Sequence, residues 1–297
     1  MSHAVMSGVN GMPRVVLSHP SGSSAEIYLN GAHVTSWKPA GGAERLFLSE
    51  AATFQEGKAI RGGIPVVFPQ FADSGPLPKH GWLRTSTWSV DSSDAATSSI
   101  IDAAEQLGVR PLTSSVRLFI EDDHKSRTLW PHGYRAGLTV TIDADSLEVE
   151  LAITNTGAEA FEFTAALHSY LAVRDVRKAS LSGLYGIPYI DKTDSQSVVV
   201  DHNQEVTISS ETDRIYTDAP SRVALVDGAA ERRLDIDATG FTDVVVWNPW
   251  AELARGIADM KSDDYLRFIC VEAARAVTPF SLVPGETWRG SQKLTGC

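Results

Sequence analysis

The chain has 297 residues, 43% of them hydrophobic, and 37 acidic against 26 basic side chains give a net charge of −11. That balance, with no basic stripe, argues against nucleic-acid binding. No run approaches the ~20 apolar residues of a membrane span, and the opening MSHAVMSGVNGMPR lacks a basic start followed by an apolar block, so neither a membrane protein nor a secretory leader is expected. The cysteines are Cys270, within an apolar run, and Cys297, the last residue, which speaks against a disulfide framework and for a reducing, cytoplasmic setting.

In chain order, short strand candidates open the sequence at residues 14–17, 25–29 and 33–37. Asn30-Gly31 between the last two is a hairpin signal. His33 lies on one of these strands and reads as structural. Residues 44–54 lead into a segment unlike the rest, residues 59–84, AIRGGIPVVFPQFADSGPLPKHGWLR. It gathers Arg61, Gln70, His80 and Arg84 in a stretch studded with glycine and proline. Irregular loops of this length are uncommon unless functional or disordered. Its apolar residues, Ile64, Val66, Val67, Phe68 and Trp82, argue against disorder. The alternative is a long plain connection between strands.

After Trp88, VDSSDAATSSIIDAAEQLG (90–108) reads as a loop or insertion with at most a single helical turn. Residues 115–121 alternate with period two, and residues 127–142 contain Trp130-Pro131 and then a strand, GLTVTI. His124 and His132 sit in polar turns and are expected to be exposed. Residues 147–153 alternate cleanly, and Asn155-Thr156-Gly157 makes a turn. Within 161–173, Phe161, Phe163, Ala165 and Leu167 share one parity, while Glu162, Thr164, Ala166, His168 and Tyr170 share the other. One regular strand here would point His168 away from the main apolar face.

Further strands are expected at 181–189, 197–200, within SSETDRIYTDAP (209–220), and at 223–226, 233–237 and 244–247. Asn248-Pro249 ends the last of these, and AELARGIADM (251–260) predicts two to three helical turns. The chain closes with strands at 265–272, 280–283 and 287–294, with Pro284-Gly285 as a turn. About fifteen or more short strands with frequent turns and little helix predict an all-β antiparallel sandwich or barrel. No βαβ alternation, fixed repeat or linker divides the chain, so one unit over 1–297 is expected, with residues 1–12 as a candidate disordered tail.

Several chemistries lack their residues. There is no GxxxxGK[ST] phosphate loop, no HExxH, His-x-His or Cys-x-x-Cys, and Ser169 has no GxSxG setting. No dedicated metal site is expected. What remains is acid–base work, in which an imidazole and a carboxylate on neighbouring strands divide the proton transfers. Glu272, between Val271 and Ala273-Ala274 in an apolar strand, is costly to bury unless paired. Its alternative reading is an ion pair with an arginine.

Together, IRGGIPVVFPQF, KHGWLR, ALHSYLAV, ETDRIY, WNPW and YLRFICVEAA, in this order from about residue 59 to 274, resemble the hexose-6-phosphate mutarotases (glucose-6-phosphate 1-epimerase type) of the aldose 1-epimerase-like superfamily. The resemblance implies a large antiparallel β-sandwich with few short helices, the galactose-mutarotase-like supersandwich. It implies interconversion of the α and β anomers of hexose 6-phosphates, with no metal or organic cofactor. It assigns Glu272 as the base toward the anomeric hydroxyl and His168 as the acid toward the ring oxygen. His80 and Asp213 match substrate-binding positions, Arg61 matches a basic position of the pocket, and Gln70 and Arg84 are candidate lining residues. The partner is then a small-molecule sugar phosphate bound by a monomer. Two alternatives stand beside it: an aldose 1-epimerase of non-phosphorylated sugars, and a carbohydrate-binding sandwich without turnover.

Overall fold

The computed structural model describes residues 5–91 and 113–296, so most of the 90–108 stretch and Cys297 lie outside the described residues. The first strands are β1 (Val5–Ser7), β2 (Pro13–Ser18), β3 (Ser24–Tyr28) and β4 (His33–Lys38), paired in that order as a four-stranded antiparallel sheet. The β3–β4 hairpin turns through Asn30-Gly31, with Gly31 at φ 81°, a left-handed conformation that glycine adopts freely. Residues 5–7 of the candidate tail pair with 13–15.

Then follow β5 (Val66–Val67), β6 (Ser89–Val90), β7 (Ser114–Glu121), β8 (Tyr134–Ile142), β9 (Ser146–Asn155), β10 (Phe161–Leu167) and β11 (Tyr170–Ala172). After them run β12 (Ala179–Ser182), β13 (Pro188–Asp191), β14 (Ser197–Val200), β15 (Glu205–Thr207), β16 (Thr212–Tyr216) and β17 (Arg222–Asp227). The chain ends with β18 (Arg232–Thr239), β19 (Asp243–Asn248), β20 (Phe268–Leu282) and β21 (Thr287–Gly296). Two large antiparallel sheets result. A nine-stranded cover sheet runs β15-β12-β17-β18-β21-β9-β8-β7-β6. An eight-stranded site sheet runs β14-β13-β16-β19-β20-β10-β5, with β11 continuing alongside β20.

Period-two alternation fixes how these strands sit. In β8, Tyr134, Ala136, Leu138, Val140 and Ile142 are buried while the residues between are half-buried. Burial of each of the larger ones, Leu138, Val140 and Ile142, contributes about 1.5–3 kcal/mol. A one-residue slip would turn the whole set outward, so the register is strongly specified. The main core joins both large sheets, with Leu138 and Leu151 from the cover sheet meeting Leu167, Val246 and Val271 from the site sheet. The other face of the site sheet carries two smaller clusters, one with Val67, Phe71, Ala166, Val245 and Ala274, the other with Phe47, Tyr170, Phe268 and Cys270. In the first half of β20, therefore, Ile269 and Val271 enter the core while Cys270, Glu272 and Ala274 face outward.

Several expectations are corrected. The helix expected over 251–260 is only α2 (Trp250–Arg255) below, because Gly256 ends it and Ile257 and Met260 pack with the Phe268 cluster instead. A short helix absent from the sequence reading, α1 (His124–Leu129), forms because Asp123 and Ser126 cap it reciprocally: the Ser126 amide donates to Asp123 Oδ1 at 2.7 Å and the Asp123 amide to Ser126 Oγ at 2.8 Å. His124 is exposed within it, but His132 is half-buried against Trp130 and Phe161, at centroid distances of 4.5 and 5.5 Å. The strands expected separately at 265–272 and 280–283 are one strand, β20, whose register against β10 shifts between Phe163 and Ala165. Among the described residues no helix is long and apolar enough to cross a membrane.

Candidate active site

The outer face of the site sheet forms the floor, and its polar residues cluster at one place. The strand 161–173 is broken at His168-Ser169, between β10 and β11. Leu167 lies opposite Ala273 and Tyr170 opposite Cys270, so the register continues through the break and position 168 falls opposite Glu272. The backbone there is tied to the glycine-rich segment: His168 donates to the Pro65 carbonyl at 3.0 Å and Tyr170 to the Gly63 carbonyl at 2.9 Å. Gly63 has φ 63°, and a Cβ there would lie 2.2 Å from the Val34 carbonyl oxygen, so only glycine lets the segment come this close.

His168 Nε2 stands 3.3 Å from Glu272 Oε1, with side-chain exposures of 9% and 2%. Glu272 Oε2 and His168 Nδ1 are buried with no hydrogen-bond partner. The neighbour of Glu272 is thus the imidazole, and among the described residues no arginine forms the ion pair considered from sequence. The His168 ring stacks on Tyr170 at 4.9 Å and 10°, on the face away from Phe163 and Leu167. Trp247 stands edge-on to both rings at 6.0 Å.

Arg61 is committed within this group. Its Nη1 donates to the Tyr170 hydroxyl at 3.0 Å and its Nε to Asp259 Oδ1 at 3.1 Å. Tyr170 and Trp247 were not singled out from sequence, although Tyr170 shares the parity of His168 and Trp247 lies in WNPW. Asp259 gave no signal, since its loop read as helix.

His80 comes from the loop that follows β5, at φ 64°. The Ala72 amide donates to its Nδ1 at 3.2 Å, which leaves Nε2 carrying the proton of the neutral ring. The ring lies 5.6 Å from His168 and 5.4 Å from Phe71. Gln70 braces the same loop: its amide nitrogen donates to the Ala72 and Leu77 carbonyls at 3.3 and 3.1 Å, and its oxygen accepts from Leu77 at 3.0 Å. Arg84 donates through Nη2 to the Lys79 carbonyl at 2.9 Å, and its buried Nε has no partner. Asp213, on β16, pairs in register with Trp247 on β19 and is half-buried. His33, by contrast, is fully buried, with Nε2 2.7 Å from the Gly62 carbonyl oxygen, and supports the glycine segment from beneath.

Residues 13–295 match the family model of aldose 1-epimerase. The chain belongs to the aldose 1-epimerase family. It is 36% identical over 290 residues to a Cenchrus ciliaris protein provisionally named glucose-6-phosphate 1-epimerase, an alignment covering 96% of this chain and 85% of that one. An Escherichia coli K12 protein of the same provisional name is 35% identical over 272 residues, covering 88% and 83%. A crystal structure from Salmonella typhimurium, provisionally titled a mutarotase, matches with a TM-score of 0.84 at 27% identity over 100% of this chain and 97% of that chain.

Within this aldose 1-epimerase fold the electrostatics of the pair follow from burial. Desolvation, then the positive charges of Arg84 and Arg61, lower the His168 pKa from 6.5 to about 3. Desolvation, then the Asp213 carboxylate, raise that of Glu272 well above the carboxylate range. Burial likewise lowers His80, with His168 and Arg84 adding to it, and raises Asp213 against the pull of Lys192 and Lys79. Burial thus disfavours the charged form of both His168 and Glu272, so a proton shared between them is drawn toward Glu272. Moving that proton across the 3.3 Å contact creates a carboxylate and an imidazolium side by side. An arrangement of this kind can take one proton and give another at neighbouring atoms of one ligand.

Proposed function

We propose that the protein interconverts the α and β anomers of hexose 6-phosphates, chiefly glucose 6-phosphate, by acid–base opening and closing of the sugar ring. The observation that carries this reading is the buried contact of 3.3 Å between His168 Nε2 and Glu272 Oε1 on the floor of the site sheet. The Glu272 carboxylate removes the proton from the anomeric hydroxyl while His168 delivers one to the ring oxygen. The C1–O5 bond breaks and leaves the open-chain aldehyde. After rotation about C1–C2, the ring hydroxyl attacks the other face of the carbonyl, and the two residues exchange roles. The chain's own side chains perform both transfers.

His80 donates Nε2–H to the ring oxygen or a hydroxyl, and Asp213 accepts hydrogen bonds from hydroxyls. Gln70 holds the loop that carries His80. The phosphate reading is supported by Arg61 and Arg84 beside the pair and by the names of the relatives above, since a guanidinium fork suits phosphate oxygens. Few cysteines and an acidic charge fit action in the cytoplasm on a soluble metabolite.

The reading is tested on a panel of glucose, galactose and mannose 6-phosphates beside the free sugars at equal concentration. The 6-phosphates are expected to be preferred. Arg61→Ala is expected to weaken the phosphorylated substrates more than the free ones, whereas Glu272→Gln damages both alike. Equal rates on free and phosphorylated sugars would move the assignment to a neutral aldose 1-epimerase. Sugar binding by calorimetry without any effect on anomerisation would leave a binding sandwich.

A further inference from the structure

Two polar residues break the apolar alternation at facing positions in the core, directly behind the His168–Glu272 pair. Ser169 occupies the core-facing parity of Phe163, Ala165, Leu167 and Leu171, and none of its surface is exposed. Gln292 occupies the core-facing parity of Trp288 and Leu294 on β21, lies in register with Val149 and Ala238, and is 2% exposed. An apolar side chain would satisfy the pattern at both places, and a buried polar group is costly unless bonded. Breaks of this kind concentrate at functional or strained sites.

Both groups are bonded, and their bonds reach the two strands that carry the pair. Ser169 Oγ donates to Gln292 Oε1 at 2.5 Å, and Gln292 Nε2 donates to the Val271 carbonyl at 3.0 Å. The Val271 amide in turn donates to the Ser169 carbonyl at 3.1 Å. Ser169 follows His168 in sequence, and Val271 precedes Glu272. One amide from the cover sheet thus closes a ring through the residues adjoining both members of the pair. It does so where β10 and β11 are interrupted and the strand's own ladder leaves the backbone least constrained.

We infer that Gln292, acting with Ser169, is a positioning residue that holds His168 and Glu272 at their working separation from behind the sheet. The inference rests on the proposed acid–base reading. Neither residue touches substrate, so the effect falls on turnover and not on substrate binding. Small misplacements of reacting groups cost up to about a hundredfold in rate.

The test compares Gln292→Met, Ser169→Ala and the double variant with wild type in the equilibration of α-glucose 6-phosphate, each rate taken per folded molecule. Each single variant is expected to lower kcat about 10- to 100-fold with KM within about twofold, and the double variant to lose no more than the worse single one. Gln292→Glu retains one donor and one acceptor only in its protonated form, so its kcat is expected to recover toward wild type as pH falls and the carboxyl gains its proton. A turnover-independent readout is the histidine ring resonances by NMR: His168 should shift in Gln292→Met while His33 stays in place. Unchanged kcat in folded variants, a loss confined to stability, additive effects, or an unmoved His168 resonance would overturn the inference. An inactive wild type would instead overturn the functional reading, and the His168 resonance would still decide the positioning role.

Discussion

His168 and Glu272 each pay for burial, and their contact is what makes that cost useful. Replacing either should remove one arm of the proton transfer: His168→Asn and Glu272→Gln are each expected to lower kcat about 10²- to 10⁴-fold, as steady-state anomerisation kinetics would show. The same burial sets a pH signature in stability. His168 titrates near 6.5 when unfolded and at about 3 when folded, so between these values the unfolded chain binds more protons. Stability therefore falls as pH drops through that window, by up to about 1.4 kcal/mol per pH unit for each such histidine. His33, lowered to about 4 mainly by burial, adds to the same limb. Glu272, raised by folding, acts in the opposite sense and loses stability as pH rises through its folded value. Relative to wild type, His168→Asn should thus gain thermal stability at pH 4.5 compared with pH 7. A constant difference in melting temperature at the two pH values would refute the buried neutral imidazole.

At the scale of elements, the site depends on a strand break that the chain itself does not announce. Gly63→Ala forces an L side chain into φ 63° and against the Val34 carbonyl oxygen 2.2 Å away. It also disturbs the carbonyl that receives the Tyr170 amide. A loss of at least about 1–3 kcal/mol in a denaturant melt is expected, together with reduced turnover. A stability within a few tenths of a kcal/mol of wild type would mean that the segment is free to move. Much of the surrounding structure was legible beforehand. The parities of 147–153 and 161–173, the Asn30-Gly31 hairpin and the Pro284-Gly285 turn all follow from local periodicity and backbone preference. The break at 168–169 was not legible, because its hydrogen bonds come from Gly63 and Pro65, remote in sequence. Nor was the union of 265–272 with 280–283, since it rests on pairing with β10, more than a hundred residues away in sequence. The α2 helix looked longer because composition does not reveal that Ile257 and Met260 have better partners in the Phe268 cluster.

For the whole molecule, the fold was readable from the density of short alternating strands, but the site was not readable from spacing. Residues 59–84, His168 and Glu272 meet only because β5, β10 and β20 are neighbours in one sheet. Shared motifs, not geometry, nominated them in advance. The assembled site adds bonds that spacing did not show: Gln70 braces its loop, and Arg61 is tied to Tyr170 and Asp259. On the proposed reading, a chain of net charge −11 binds a phosphate ester by concentrating positive charge locally, the part given to Arg61 and Arg84. The decisive measurement is the equilibration of freshly dissolved α-glucose 6-phosphate, followed by NMR, with wild type, His168→Asn and Glu272→Gln. Rapid equilibration by wild type that both substitutions reduce toward the spontaneous rate is the expected result. Wild type no faster than buffer, or either variant as fast as wild type, would contradict an acid–base site built on His168 and Glu272.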